Sequence, residues 1–279
     1  MPSRPLPGYR CPNCRLALAE EDNGFACTNG HRYDRAKEGY VNLLPGGRLR
    51  GRPSGDDEAM VRARRTVFDA GLYAPIIDAV ATVIEEEGVR TDGDAVHLLE
   101  CGSGEGSYLA AAAARVRAEA WGIDVSKPAA RLAARRHRNH HYAVASTYHL
   151  PFDDRAFDVL MSVFAPRPYE EMMRVLRTGG HAVVVRPGPQ HLAELKALVY
   201  ADPRQHRDPA TLDGQEWPAP VRVVPVQFEL VLDDPGLRLA LLEMTPYWWS
   251  ARPERRDEIA STPFTVRADM RITVFDHEA

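Results

Sequence analysis

Residues 96–116 read VHLLECGSGEGSYLAAAAARV, and this stretch changes character twice. The apolar run AVHLLE has no polar alternation, as expected of a strand buried on both faces. CGSGEG follows as a turn, and SYLAAAAARV has the composition of a helix. A strand, a glycine turn and a helix in that order put Gly102, Gly104 and Gly106 at the carboxyl edge of a sheet, where backbone must turn sharply and lie close to a ligand.

The same alternation continues outward. EAWGID (119–124) reads as a second strand, KPAARLAARRH as a helix, YAVAS as a third strand and FDVLMSVF as a fourth. YEEMMRVLRTGG reads as a helix ending on its glycine pair, and HAVVVRPG as a fifth strand. Alternating strands and helices predict an α/β fold with a parallel, doubly wound sheet. Two helices are expected before it, between Glu58 and Glu87. Two β-rich stretches, VRVVPVQFELVL and FTVRADMRITVF, suit the far edge of the same sheet.

The order of the glycines narrows the ligand. A dinucleotide fingerprint G-x-G-x-x-G needs glycine at 107, where the chain has Ser107. The pattern is instead an acid, Glu100, followed by x-G-x-G-x-G. A carboxylate there suits a cation better than a pyrophosphate, and S-adenosylmethionine carries an ammonium and a sulfonium. Asp124 closes the second strand, where a carboxylate can accept both hydroxyls of a ribose. ASTYHLPFDDRAFD, after the third strand, can flank an adenine. A nicotinamide-binding sheet and a structural copy without activity are the other readings of the loop. Cys101, inside the loop, reads as a packing residue.

Three of the four cysteines lie near the front, as Cys11-x2-Cys14-x12-Cys27-x3-His31. Each half lets one tight turn aim two ligands at a single ion, and the soft, closed donor set fits structural Zn2+. Three reduced cysteines that merely lie close together are the alternative. RYDRAKEGYVNLLPGG after His31 ends in turn residues and offers no recognition helix. Residues 1–45 are therefore expected to form a zinc-binding substrate-recognition domain. Residues 46–58 are the expected linker, and 59–279 a Rossmann-like catalytic domain.

The net charge of −4 argues against a generic nucleic-acid coat, yet it is unevenly spread. Residues 1–55 hold 9 Lys/Arg against 5 Asp/Glu, and the remainder 26 against 34. A basic appendage on an acidic body suits an RNA-guiding module, with Arg10, Arg32, Arg35 and Arg48 on phosphates and Arg62, Arg64 and Arg65 extending the surface. The first ten residues contain no apolar stretch that reads as a leader, and a cytoplasmic protein with no membrane partner is expected.

Longer strings carry a resemblance across nearly the whole chain. The four metal-ligand positions, KEGYVNLLP (37–45), ARRTVFDAGLYAPI (63–76), GIDVSK (122–127), FAPR (164–167), PGPQHLAELKALVY (187–200) and MTPYWWSARPE (244–254) resemble the S-adenosylmethionine-dependent 23S ribosomal RNA guanine-N1 methyltransferases, a family that includes macrolide-resistance enzymes. The last two strings look most like the housekeeping branch, which modifies hairpin 35. The resemblance implies a class I methyltransferase sheet behind a zinc domain that helps to recognise ribosomal RNA. It also implies Tyr73, Ser107, Tyr108 and His191 at the cofactor, beside Glu100, Gly102, Gly104 and Asp124. Family members commonly read LDIGCGEG where this chain reads LECGSGEG, and housekeeping members tend to carry tyrosine where Phe164 stands. Such changes leave open a relative that methylates a small molecule, and a homodimer is also compatible. The loop Ser162–Arg167 lies where a target would enter; no residue there stands out as a general base.

Overall fold

The computed structural model describes residues 4–45, 55–88, 94–200 and 217–278. Most of the expected linker, with Arg48, lies outside them. The front of the chain forms a small antiparallel sheet of β1 (Ala19–Glu21), β2 (Gly24–Ala26) and β3 (Arg32–Asp34), followed by the short β4 (Val41–Asn42). Helices α1 (Glu58–Asp69) and α2 (Ala74–Glu86) come next. Asp57 caps α1 by accepting the Met60 amide at 2.9 Å, and Pro75 supplies the preset φ of the first turn of α2.

The alternating body then runs β5 (His97–Cys101), α3 (Ser107–Val116), β6 (Glu119–Asp124), α4 (Lys127–Arg136), β7 (His141–Val144), β8 (Phe157–Val163), α5 (Tyr169–Val175) and β9 (Leu176–Pro187). It ends with α6 (Ala193–Val199), β10 (Arg222–Leu232), α7 (Pro235–Glu243), α8 (Pro253–Ser261) and β11 (Phe264–Asp276). The large sheet has the order β4-β7-β6-β5-β8-β9-β11-β10, parallel from β4 to β9, with β11 and β10 antiparallel. Successive strands run outward from β5 on one side and from β8 on the other. The connections after β5 and β8 therefore leave the same carboxyl edge in opposite directions, a topological switch point, where α/β sheets bind ligands.

Two features differ from the sequence reading. The helix YEEMMRV stops at Val175 instead of the glycine pair, because Leu176 is wholly buried and pairs with Phe157 as the first residue of β9. A Cβ on Gly180 would meet the Asp158 carbonyl at 2.7 Å, so the glycines serve close strand packing there. Moreover, Val41 and Asn42, which the sequence reading leaves without a strand, form β4 and add a parallel strand beside β7, with Leu43 N–H donating to Val144 C=O at 2.8 Å. The glycines of the expected turn, Gly46 and Gly47, lie outside the described residues.

The sheet has a core on each face. On one side α1, α2 and α3 pack their buried residues, Val67, Ile76 and Leu109 among them, against Leu98 and Met161. On the other, Tyr9, Cys11, Leu18 and Cys27 of the front module share a core with Leu99, Trp121, Phe152 and Phe157. No single helix among the described residues is long and apolar enough to cross a membrane.

Candidate active site and zinc centre

Glu100 sits on the central strand, paired with Gly122 of β6 and Met161 of β8, and is 1% exposed. Its Oε2 has no hydrogen-bond partner. Burial raises the carboxyl well above the usual carboxylate range, and the nearby Glu105 and Asp124 push the same way. A buried carboxylate oxygen without a partner is costly, and a cationic group beside it would relieve that cost.

Asp124, at the tip of β6, spans two loops. One of its oxygens accepts the Gly104 amide at 2.8 Å and the other the Ser126 amide at 2.7 Å. Burial raises this carboxyl too, against the pull of the two amides and Arg64. Each oxygen keeps one lone pair beyond these bonds. The glycine loop is thus pinned to the end of β6. The Gly102 and Ser103 amides donate to Ile123 C=O at 2.7 and 3.0 Å. Gly102 has φ +76°, and a Cβ there would overlap the Cβ of Ala165 in the loop after β8. Two loops from opposite sides of the switch point therefore meet at one glycine.

The expected site residues gather around this point. Tyr73 is 2% exposed and stacks on Phe68, with centroids 5.4 Å apart; Phe68 meets the Tyr108 ring edge-on at 5.7 Å. The Tyr108 hydroxyl is sealed without a partner. Ser107 N–H donates to Glu105 at 3.1 Å. His191 does not face solvent as a helix-end residue would. It is buried, takes the Asp269 amide on Nδ1 at 3.3 Å, and stacks on Phe164 at 5.6 Å. Phe164 is 42% exposed, so one face of this pair stays open beside the glycine loop. Cys101 is fully buried, and burial raises its thiol, which fits packing.

The sequence suggests that the α1 arginines extend a phosphate-binding surface, yet two of them pair with the protein's own carboxylates. Arg65 donates to Glu105 at 2.6 Å and to Ser107 Oγ at 3.3 Å, and Arg64 pairs with Asp56. The signal was present in CGSGEG: a carboxylate within a loop that folds against a sheet needs a partner, and Glu105 is 2% exposed. Arg10, Arg32 and Arg35 form exposed or half-exposed pairs with Asp153, Glu21 and Glu20.

In the front module the four ligand atoms of Cys11, Cys14, Cys27 and His31 lie within 4.8 Å of one another. Nδ1 of His31 is 3.5, 3.5 and 3.4 Å from the three sulfurs, and Cys14 Sγ is 3.7 Å from Cys27 Sγ. These are close to the edges of a tetrahedron built on Zn–S of about 2.3 Å and Zn–N of about 2.0–2.1 Å, so the residues fit zinc. Burial pushes the Cys11 thiol up. The Tyr33 hydroxyl and the amides of Cys14 and Asn13 more than offset this, leaving it at about 6, mostly thiolate at neutral pH.

Comparison with known proteins fits this geometry. The family profile described as "RlmA, N-terminal", a zinc ribbon, matches residues 9–50, and the profile described as "Methyltransferase domain" matches residues 99–184. The 23S rRNA (guanine(748)-N(1))-methyltransferase of Streptomyces fradiae is 39% identical over 202 residues, covering 71% of this chain and 70% of that one. A Micromonospora griseorubida protein, provisionally named a 23S rRNA (guanine-N(1)-)-methyltransferase, is 36% identical and covers 96% of both chains. The chain belongs to the 23S rRNA guanine-N1 methyltransferase family. The provisionally named member YxjB of Bacillus subtilis (strain 168) is 32% identical over 95% of this chain and 96% of its own. Among solved structures, the YcgJ protein of Bacillus subtilis matches with a TM-score of 0.46 and 16% identity, over 72% of this chain and 98% of that one. This family member is an S-adenosylmethionine-dependent methyltransferase with a zinc-binding front module.

Proposed function

We propose that the enzyme methylates N1 of a guanine in the hairpin 35 region of 23S ribosomal RNA. Residues 1–45 act as the RNA-recognising module and residues 59–279, reached through 46–58, as the catalytic domain. The observation that carries the reading is the buried, unpartnered Oε2 of Glu100 next to the glycine loop, in a chain whose relatives are named for this reaction.

S-adenosylmethionine bound there supplies a methyl group on a sulfonium centre. Glu100 is placed to hold its ammonium, and the free lone pairs of Asp124 to take its ribose hydroxyls. Gly102 and Gly104 let the main chain lie close, while Tyr73, Ser107, Tyr108 and His191 enclose the methionine side and exclude water. The acceptor nitrogen is the pairing edge of guanine, so the base must leave its helix. The open Phe164–His191 stack, beside the loop Ser162–Arg167, offers an extruded ring a flat surface.

Glu100 gives this reading a pH signature. An ammonium beside the carboxylate favours its ionised form, so binding releases the proton that burial retains in the free protein. Affinity for S-adenosylhomocysteine therefore rises with pH through the raised titration range of Glu100 and levels off above it. Calorimetry between pH 5.5 and 8 measures the slope, and Glu100→Gln should flatten it while lowering affinity at pH 8. An equal slope in the variant would remove Glu100 from the ammonium site.

The acceptor is tested by incubating the enzyme with labelled cofactor and unmodified 23S rRNA, followed by nucleoside mass spectrometry. The expected product is 1-methylguanosine. The pairs made by Arg10, Arg32 and Arg35 are exposed enough to exchange for phosphates. Three such contacts imply that RNA affinity falls about fortyfold between 50 and 200 mM salt. Protein that binds cofactor yet leaves the RNA unmethylated would overturn this acceptor and favour a small molecule.

A further inference from the structure

We propose that the zinc module forms one wall of the pocket for the cofactor's adenine, which couples the metal site to cofactor binding. This rests on the reading that Glu100 and Asp124 seat S-adenosylmethionine.

A cavity of about 460 Å³ opens between the front module and the carboxyl edge of the sheet. Its lining comes from two sources. The sheet contributes Val125, Ser146 and Tyr148, and the front module contributes Arg15, Leu44 and Pro45. Val125 directly follows Asp124, and Ser146 lies just past the end of the neighbouring strand β7, so the cavity adjoins the nucleoside end of the crevice and not its methionine end. Apolar surfaces from Val125, Leu44 and Pro45 with a hydroxyl at the rim suit a planar heteroaromatic ring, and the volume lies within the range of small-molecule pockets.

The module side of the cavity is held by the metal-binding turn. Arg15 follows Cys14 with φ +63°, its amide donates to Cys11 C=O at 2.8 Å, and its guanidinium donates to Leu150 C=O at 3.1 Å. Arg10 N–H donates to Pro151 C=O at 2.7 Å. Leu44 follows β4, the strand that the module adds beside β7. The chain returns to the same place after the linker, where Ser126 Oγ donates to Asp56 C=O at 2.6 Å. Arg15 thus takes its left-handed conformation from the same turn that carries Cys11 and Cys14. Loss of the metal is therefore expected to loosen Arg15 and the wall with it.

Calorimetry on the full-length, zinc-loaded protein tests the coupling with two ligands: S-adenosylhomocysteine, and 5′-methylthioadenosine, which lacks the amino-acid end. Leu44→Ala should weaken both about five- to tenfold, the loss expected for uncovering one aliphatic side chain, with zinc still at one equivalent. Glu100→Gln should weaken only the homocysteine ligand. Stripping zinc with a chelator should lower affinity for both, and zinc should restore it, which serves even if the Leu44 variant folds poorly. Unchanged affinity in both the Leu44 variant and the stripped protein overturns the wall. If Val125→Asp on the sheet side also has no effect, or the wild type binds neither ligand, the cofactor reading itself fails.

Discussion

Gly102→Ala is expected to reduce methyl transfer at least a hundredfold and to weaken S-adenosylhomocysteine binding by a similar factor. Two costs combine at this position. The backbone has φ +76°, where an alanine is disfavoured by about 1 kcal/mol or more. The added methyl would also overlap the Cβ of Ala165, so either the glycine loop or the loop Ser162–Arg167 must move. Both loops face the crevice, and displacement of about 1 Å suffices for a hundredfold loss in a site that works by alignment. Stability should fall less, by about 2 kcal/mol, because the strain sits at a sheet edge. The double variant Gly102→Ala with Ala165→Gly separates the causes: it frees the space and leaves only the backbone cost, so about half the lost binding free energy should return. A double variant no better than the single one would assign the defect to φ alone.

The parts of this site that could be read from the sequence are those whose chemistry is local. Glu100 and the glycines lie within a few residues of one another, and a strand tip followed by a glycine turn has few interpretations. Asp124 closes EAWGID, and β6 has those bounds. The zinc ligands were equally visible, since each pair lies within one turn. Two kinds of feature stayed hidden. The first is direction: ARARR has the composition of a basic outer face, and only the packing of α1 against the glycine loop turns Arg65 onto Glu105. The second is long-range pairing of a very short element. Val41 and Asn42 carry no periodicity, and their place beside Ala143 and Val144 depends on how the metal-held module seats on the sheet. His191 combines the two, because its burial under Phe164 follows from a loop that is distant in sequence.

That seating makes metal removal the most damaging perturbation. The front module has few apolar residues of its own, and those it has do not form a separate core. Tyr9 lies 5.4 Å from Phe152 and 5.3 Å from Phe25, and Cys11, Leu18 and Cys27 belong to the same cluster as Leu99 and Phe157 of the sheet. Three sulfurs and an imidazole nitrogen lie 3.4–3.7 Å apart, and the ion is what ties the two turns that carry them together. Its removal frees these turns, and their opening strips cover from Phe152 and withdraws β4. The edge of β7 is left unpaired, a template for aggregation. Structural zinc contributes folding energy of about 10 kcal/mol in small modules. Part of that should appear here as a fall in Tm of about 10 °C or more after chelation, with increased binding of a hydrophobic dye. Cys11→Ser should do the same permanently. Protons compete with the metal for all four ligands, so zinc retention should fall as the pH is lowered, before the sheet itself unfolds. Limited proteolysis provides the spatial check: cleavage confined to residues 4–45, with the body from α1 onward still resistant, is the expected pattern. A zinc-free protein with unchanged Tm and no new cleavage would mean that the shared core holds the module in place without the ion.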